Sequence, residues 1–367
     1  IVGALVCCLV PGVARADTVT RVNNSDELLN SVGGDVYITN PPSAANGQYW
    51  DGGSWRNVNT VPKDSTKGKM GTSVSLGNGW KFGWWDGKWG GSYAVWRNND
   101  EGLNWDGKVY PGFKMRFNDI GYTKTGEHVD VIFDFTQIYV WRYEKQKLTW
   151  YTPFEITNNF GIQLAAEGEL SYNPGISSTY TTRFVKRGTD QLIDASNEVD
   201  LLYWDIDQPA PKTRDQEQSS IFNVNSYIGT TDWRESIWKV SGYKEEAITL
   251  KDAWLEIKAN EAGIPNAAFL SKISDGGNSG ASVNHSVVVL KSGPEFVTQW
   301  RGWSCSTGMG FDTVVQAYPK WSDPVKDPPT QVKKRGEVAE FNIKQTFPFV
   351  TDNNKAKSIV MTDTLDP

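Results

Sequence analysis

Between Asp17 and Trp321 the chain runs without a proline-dense or single-sign charged interruption long enough to act as a linker, and the local signals along it are mostly extended. Short runs of Trp, Tyr, Phe, Val and Thr recur, and turn pairs such as Asn78-Gly79 and Asp51-Gly52 punctuate them. β-branched and aromatic side chains suit a pleated, half-buried surface, while Asn-Gly and Asp-Gly supply the positive φ values of tight hairpins. A segment this long has room for two domains, but all-β architectures commonly run to this length as one. The sequence therefore predicts an all-β fold whose main body, residues 17–321, is one large, lectin-like β-sandwich.

Two places depart from the extended pattern. Ser25-Asp26-Glu27-Leu28-Leu29 reads as a capped helical turn that ends by Gly33-Gly34. Residues 244–260, where Glu245, Glu246, Lys251 and Glu256 intersperse Ile248, Leu250, Trp254 and Ile257, fit either a second helix or two strands. In 126–135 the alternation is clear: Val131, Phe133 and Phe135 share one face of a strand, Asp130, Ile132 and Asp134 the other.

The first ten residues, Ile1 to Val10, are apolar but too short to span a bilayer, and they lead through Pro11-Gly12 to Ala14-Arg15-Ala16. That is the apolar region and Ala-x-Ala cleavage site of a secretory signal, here expected to be truncated over residues 1–16, with the mature chain starting at Asp17. Beyond it Cys305 is the single cysteine. An exported body of this size with one thiol must be held by its core rather than by disulfides, and a buried free thiol is the expectation for Cys305. The net charge of −6 and pI near 5.2 argue against nucleic acid and against docking on anionic lipid.

The tail is differently organised. Asp323-Pro324-Val325-Lys326-Asp327-Pro328-Pro329 should be a stiff joint, because proline fixes φ and pushes its predecessor extended. After it Val338 to Gln345 alternate as a half-buried strand, and Ser358 to Thr362 read as a second. Two strands do not hold a sheet domain together in water, so residues 322–367 are expected to be the opening of a module that continues further. The order Asp-Pro-x-Lys, Gly-Glu-x-x-x-Phe-x-Ile and Thr-Asp-Thr-Leu here resembles the start of the immunoglobulin-like, isopeptide-forming modules of Gram-positive fimbrial proteins and antigen I/II-type adhesins. The resemblance covers about 45 residues. It implies that a lysine on an early strand is joined to an asparagine near the module's end, with Lys326 as that lysine and Lys333 or Lys334 as weaker candidates.

Two stretches of the main body carry candidate ligand chemistry. From Gln48 to Tyr110 eight tryptophans stand among many Gly and Asn, and Trp-Asp-Gly recurs at Trp50, Trp85 and Trp105. Indole faces beside polar side chains are what sugar recognition needs, since sugar C–H faces stack on rings while hydroxyls need partners. Trp84, Trp85, Trp89 and Trp105 are the candidates for an extracellular glycan or glycoprotein ligand, and some rings are expected to stay exposed. The alternative is that these rings fill the core. Further on, the strand 199–207 ends in Asp205-Ile206-Asp207, whose carboxylates would project to one side and could hold calcium with Glu217. A strand feeding Asp-x-Asp and a charged loop is also similar to the large heads of antigen I/II-type adhesins.

Catalytic templates are poorly matched. His128 and His285 have no zinc-type spacing, the Gly-rich Asp275 to Gly280 lacks the phosphate-loop ending, and Gly-x-Ser-x-Gly is absent. The expectation is a non-enzymatic, monomeric adhesin head on a bacterial cell surface, followed by a fimbrial-type stalk leading to a cell-wall anchor. The rivals are a wall-tethered carbohydrate-active enzyme and a structural pilin subunit.

Overall fold

The computed structural model describes residues 18–24, 27–28, 31–87, 90–98, 107–142, 150–157, 161–168, 174–206, 234–258, 268–272, 286–303, 306–310, 325–326 and 343–344. In chain order the strands are β1 (Thr18–Val22), β2 (Val36–Ile38), β3 (Gly47–Trp50), β4 (Trp55–Asn57), β5 (Met70–Gly77), β6 (Trp80–Gly87), β7 (Gly90–Asn98), β8 (Lys108–Pro111) and β9 (Lys114–Thr123). They continue as β10 (His128–Arg142), β11 (Trp150–Thr157), β12 (Gly161–Gly168), β13 (Pro174–Lys186), β14 (Val199–Trp204) and β15 (Ser236–Leu250). The last are β16 (Leu255–Lys258), β17 (Ala268–Ser271), β18 (Val288–Trp303), β19 (Ser306–Gly310), β20 (Val325–Lys326) and β21 (Ile343–Lys344).

Nineteen of these strands belong to one curled sheet, antiparallel throughout except for the pairing of β1 with β15. One half runs β4-β3-β9-β10-β13-β18-β15, and the other runs β5-β6-β7-β11-β12-β19-β14. The halves meet at β18. Its residues Val288–Ser292 pair with β14, and Glu295–Arg301 and beyond pair with β13. The switch falls at Gly293-Pro294, where proline has no N–H to give a ladder. Opposite, Gly242 at φ +78 brings β15 against the backbone of Glu295, so both strands turn the same corner. The result is the expected all-β sandwich. Apart from it, β20 pairs with β21, Val325 opposite Lys344 and Lys326 opposite Ile343.

Alternation sets the core, and bulges keep it in step. In β10, Val129, Val131, Phe133 and Phe135 point inward, a register shift follows between Phe135 and Gln137, and then Ile138 and Val140 point inward. One extra residue flips the parity, so a strand longer than the core's local curvature allows keeps its apolar side inside. The opposite face of β10 is mixed, as its pattern implies. Asp130 makes a buried ion pair with Arg116 at 2.6 Å, and Asp134 pairs with Lys114 at 2.7 Å.

The turns follow their residues. Asn78 and Gly79, at φ +54 and +81, close the β5–β6 hairpin opposite Gly77 and Trp80. The Asp51 carboxylate accepts from the Gly53 and Ser54 amides in the β3–β4 turn, and the Arg56 side chain with these bonds holds its carboxyl well below the usual range. Glu27, Leu28 and Ser31 are helical, capped by the Asn24 side chain on the Glu27 amide. Residues 244–258 resolve as β15 and β16, strand in both parts.

Candidate functional site

Trp84 and Trp85 face opposite sides of β6. Trp84 pairs with Tyr93, is half-buried against the main core, and has the Lys63 ammonium 4.4 Å from its ring. Trp85 points away from that core and, with Trp96, Trp150 and Ala94, forms a separate buried cluster backed by Met70. Its ring meets Trp150 edge-on at 5.2 Å, so it reaches from β6 across β7 to β11. Lys81, opposite Trp96 in register, lays its ammonium 4.6 Å from the Trp96 ring.

The expectation of exposed rings is not met among the described residues. Trp80, Trp85 and Trp96 are buried and Trp50, Trp55 and Trp84 half-buried, while Trp89 and Trp105 lie outside the described residues. Trp80 packs edge-on against Tyr110, Phe113 and Tyr151, and Trp85 and Trp96 pack with Trp150 and Ala94, while other indoles lie over glycines of the next strand. A Cβ on Gly91 would fall 2.0 Å from the Trp84 ring, one on Gly175 1.9 Å from Trp141, and one on Gly308 2.0 Å from Trp204. Glycine backbone supplies the cover that long aliphatic side chains would otherwise give.

Beside the Trp85 cluster a row of paired residues crosses six strands on the same face. It runs Gly83 (β6), Ala94 (β7), Glu155 (β11), Gln163 (β12), Gly308 (β19) and Trp204 (β14). Directly paired residues share a face. Glu155 reaches this face because β11 is bulged at Pro153: Tyr151 and Phe154 both point into the core, and Glu155 then points out. Proline is tolerated there because the bulge needs no ladder N–H.

Glu155 is only 5 % exposed. Its Oε2 accepts from the Ser92 hydroxyl at 3.0 Å, and its Oε1 has no partner. Burial pushes its carboxyl well above the usual range, and the neighbouring Glu167 pushes it further. The indole N–H groups of Trp85 and Trp96 are also buried without a partner. Each such group forfeits about 1–3 kcal/mol of hydration with nothing in return. These three groups lie on one face of neighbouring strands β6, β7 and β11, and buried polar atoms without a partner occur elsewhere too, as at the Ser177, Ser178 and Thr182 hydroxyls.

Trp204 and Asp205 stand at the far end of this row. β14 stops at Trp204, and Asp205 follows at φ +67, so the alternation that would put Asp205 and Asp207 on one side of a strand does not run through it. Asp207 and Glu217, expected to share a cation, lie outside the described residues, and among the described residues no group of three His, Cys, Asp or Glu is placed to hold a metal. His128 instead bonds Asp119 at 2.7 Å. Cys305, His285, Lys333 and Lys334 also lie outside, and of Lys326 only the backbone pairing is described.

A concavity of about 570 Å³ opens beside the β5–β6 turn and is lined by Asn78, Arg97, Lys108, Val109, Tyr110 and Pro111 with Gly107. All but Pro111 fall within the tryptophan-rich stretch. The Arg97 guanidinium lies 4.3 Å from the Tyr110 ring and bonds the Asn78 carbonyl, and Val109 is the one exposed large apolar side chain among the described residues.

The sequence pointed to the tryptophans of residues 48–110 and to Asp205, but not to Trp204, Glu155, Ser92, Gln163 or Glu167. A signal was available: Glu155 is the one acid in Trp150-Tyr151-Thr152-Pro153-Phe154-Glu155-Ile156, otherwise apolar or small.

No protein-family model matches the chain, and no curated protein does. Among solved structures, the N-terminal domain of the Streptococcus gordonii adhesin Sgo0707 superposes with a TM-score of 0.51 at 12% identity, over 85% of this chain and 68% of that one. The adhesin domain of PrgB from Enterococcus faecalis aligns over 82% of this chain and 87% of its own at 11% identity, with a TM-score of 0.29 that is too low to bear on the fold. The chain therefore has an all-β sandwich fold similar to that of the N-terminal domain of a streptococcal adhesin.

Proposed function

We propose that residues 17–321 are the ligand-binding head of an exported bacterial adhesin, displayed at the cell surface and directed at an extracellular glycan or glycoprotein. The observation that carries this is the fold shared with the Sgo0707 N-terminal domain over 85% of the chain. The poor match of the sequence to catalytic templates agrees with it. In this reading residues 322–367 open a stalk module, with Lys326 as its isopeptide lysine and a wall anchor further along the protein.

Beads coated with the chain should adhere to host cells or to neighbouring bacteria, and uncoated beads should not. A parallel glycan panel is read for product as well as retention. Product formation would replace the adhesin by a wall-tethered carbohydrate-active enzyme. Beads that neither adhere nor retain any glycan would leave a structural pilin.

A further inference from the structure

Where β9 ends, β10 begins and β13 ends, three chain segments enclose an open cleft of about 450 Å³. Its walls are the β9–β10 turn with Lys124 and Glu127, the end of β13 at Lys186, and the segment from Gln191 to Asn197 that leads to β14. Backbone bonds fix each wall: the Thr123 amide donates to the Glu127 carbonyl at 2.9 Å, the Lys186 amide to the Gln191 carbonyl at 2.8 Å, and the Asn197 amide to the Asp194 carbonyl at 3.0 Å. The cleft is therefore preformed, and its size falls in the range of roughly 300–1,000 Å³ that small-molecule sites occupy. Lys124, Gln191 and Asp194 at its rim are exposed, whereas Asn197 within it is only 5 % exposed. The Asn197 Nδ2 donates to the Asp194 carbonyl at 2.9 Å, and among the described residues nothing donates to its Oδ1, which is not sealed from solvent. Asp194 spends one oxygen, Oδ1, on the Ser196 amide at 2.8 Å and hydroxyl at 2.7 Å, and among the described residues nothing donates to the other. The cations are engaged: Lys186 lies 3.0 Å from Glu127 and Lys124 3.0 Å from Asp35.

We propose that this cleft takes the end of an uncharged saccharide, whose hydroxyls donate to Oδ2 of Asp194 and Oδ1 of Asn197 while the Gln191 amide bonds it from the rim. The inference rests on the adhesin reading and gives its ligand a site and a chemical class. The unused groups inside the cleft are acceptors, so the ligand must bring donors. Asp194 is an acceptor only: the two Ser196 bonds, with the Lys186 and Lys124 charges, hold its carboxyl below the usual range. A cationic ligand would bring donors too, but it would meet the Lys124 and Lys186 ammoniums. An anionic one would set its oxygens against Asp194 and Glu127. The lining holds two cations and two anions, so it offers no net charge to draw an ion of either sign. A peptide would want an apolar or aromatic pocket for its anchor side chain, and Leu192, half-buried, is the one large apolar side chain lining the cleft. Sugar hydroxyls supply donors without charge, and the C–H edge of a ring can rest on Leu192.

The test uses the full chain with soluble neutral mono- and disaccharides, read by saturation-transfer NMR, with sialylated sugars and a basic peptide alongside. A neutral sugar should bind. Asp194→Asn, which can still accept from Ser196 but turns the other oxygen into a donor, should weaken that binding at least tenfold. Gln191→Ala should weaken it severalfold; it removes an exposed side chain, leaves the backbone bonds of the wall in place and should not change the melting temperature, so its loss of binding is not unfolding. Affinity for the neutral sugar unchanged in both variants overturns the cleft as its site. Binding of sialylated sugars alone, or of the peptide alone, overturns the ligand class. Bead adherence separates the two levels: beads that adhere to cells while the chain binds no neutral sugar refute the cleft and leave the adhesin reading standing, and beads that fail in both remove the two together.

Discussion

Glu155 shows how one side chain can be set by a defect two residues away. Had β11 been regular, its alternation would have carried this carboxylate into the core; the bulge at Pro153 turns it out, against Ser92 and beside Glu167. Its raised folded-state pKa means that the folded protein keeps a proton the unfolded chain releases above the ordinary carboxylate range near 4.5. That contribution to stability is complete below the ordinary value and is lost as pH rises toward the raised one. Glu155→Gln, which is neutral at every pH and can still accept from Ser92, should therefore gain on the wild type as pH rises, by up to about 1.4 kcal/mol per pH unit for one proton. Denaturant midpoints from pH 5 to about pH 9 measure the difference. Parallel curves would mean that Glu155 is already ionised in the folded protein. Asp200, also raised by burial, is common to both proteins and cancels in the difference.

At the scale of elements, the recurring device is an indole laid over a glycine of the adjacent strand, as with Trp141 on Gly175 and Trp204 on Gly308. In each case the ring covers backbone that has no side chain of its own. The device decides the sign of a substitution that propensity alone would misjudge. Glycine inside a strand costs entropy, so Gly175→Ala read by propensity should stabilise by about 0.5–1 kcal/mol. A Cβ there would stand 1.9 Å from Nε1 of the fully buried Trp141, and a buried indole has nowhere to go. Gly175→Ala should instead destabilise by about 1–3 kcal/mol, as overpacked cores do. Urea denaturation checks it, and a stabilised variant would show that Trp141 can move aside.

For the molecule as a whole, the separation of β20 and β21 from the nineteen-stranded sheet bears on the tail. If Lys326 is the isopeptide lysine, a longer chain carrying the complete following module should weigh about one ammonia less than its sequence, and Lys326→Ala should restore the full mass. Full mass in the unsubstituted protein rules the bond out. The two halves of the curled sheet are joined where β18 leaves β14 for β13 at Gly293-Pro294.

What the residues determine unaided is what local physics decides. The Asn78-Gly79 hairpin, the Asp51 turn, the inward set of Val131, Phe133 and Phe135, and the opposite facing of Trp84 and Trp85 each depend on neighbours within a few positions. Those were legible in the sequence, and with them the all-β class. The two-strand form of residues 244–258, the burial of the tryptophans and the row through Glu155 were not, because each depends on which strand lies alongside. Gly308 is 104 positions from Trp204 and Ala94 is 61 from Glu155 in the numbering, yet each pair shares a ladder. A period of two says which residues of a strand share a face; which strands adjoin, and where a bulge reverses that face, is decided by packing the whole sheet around one core.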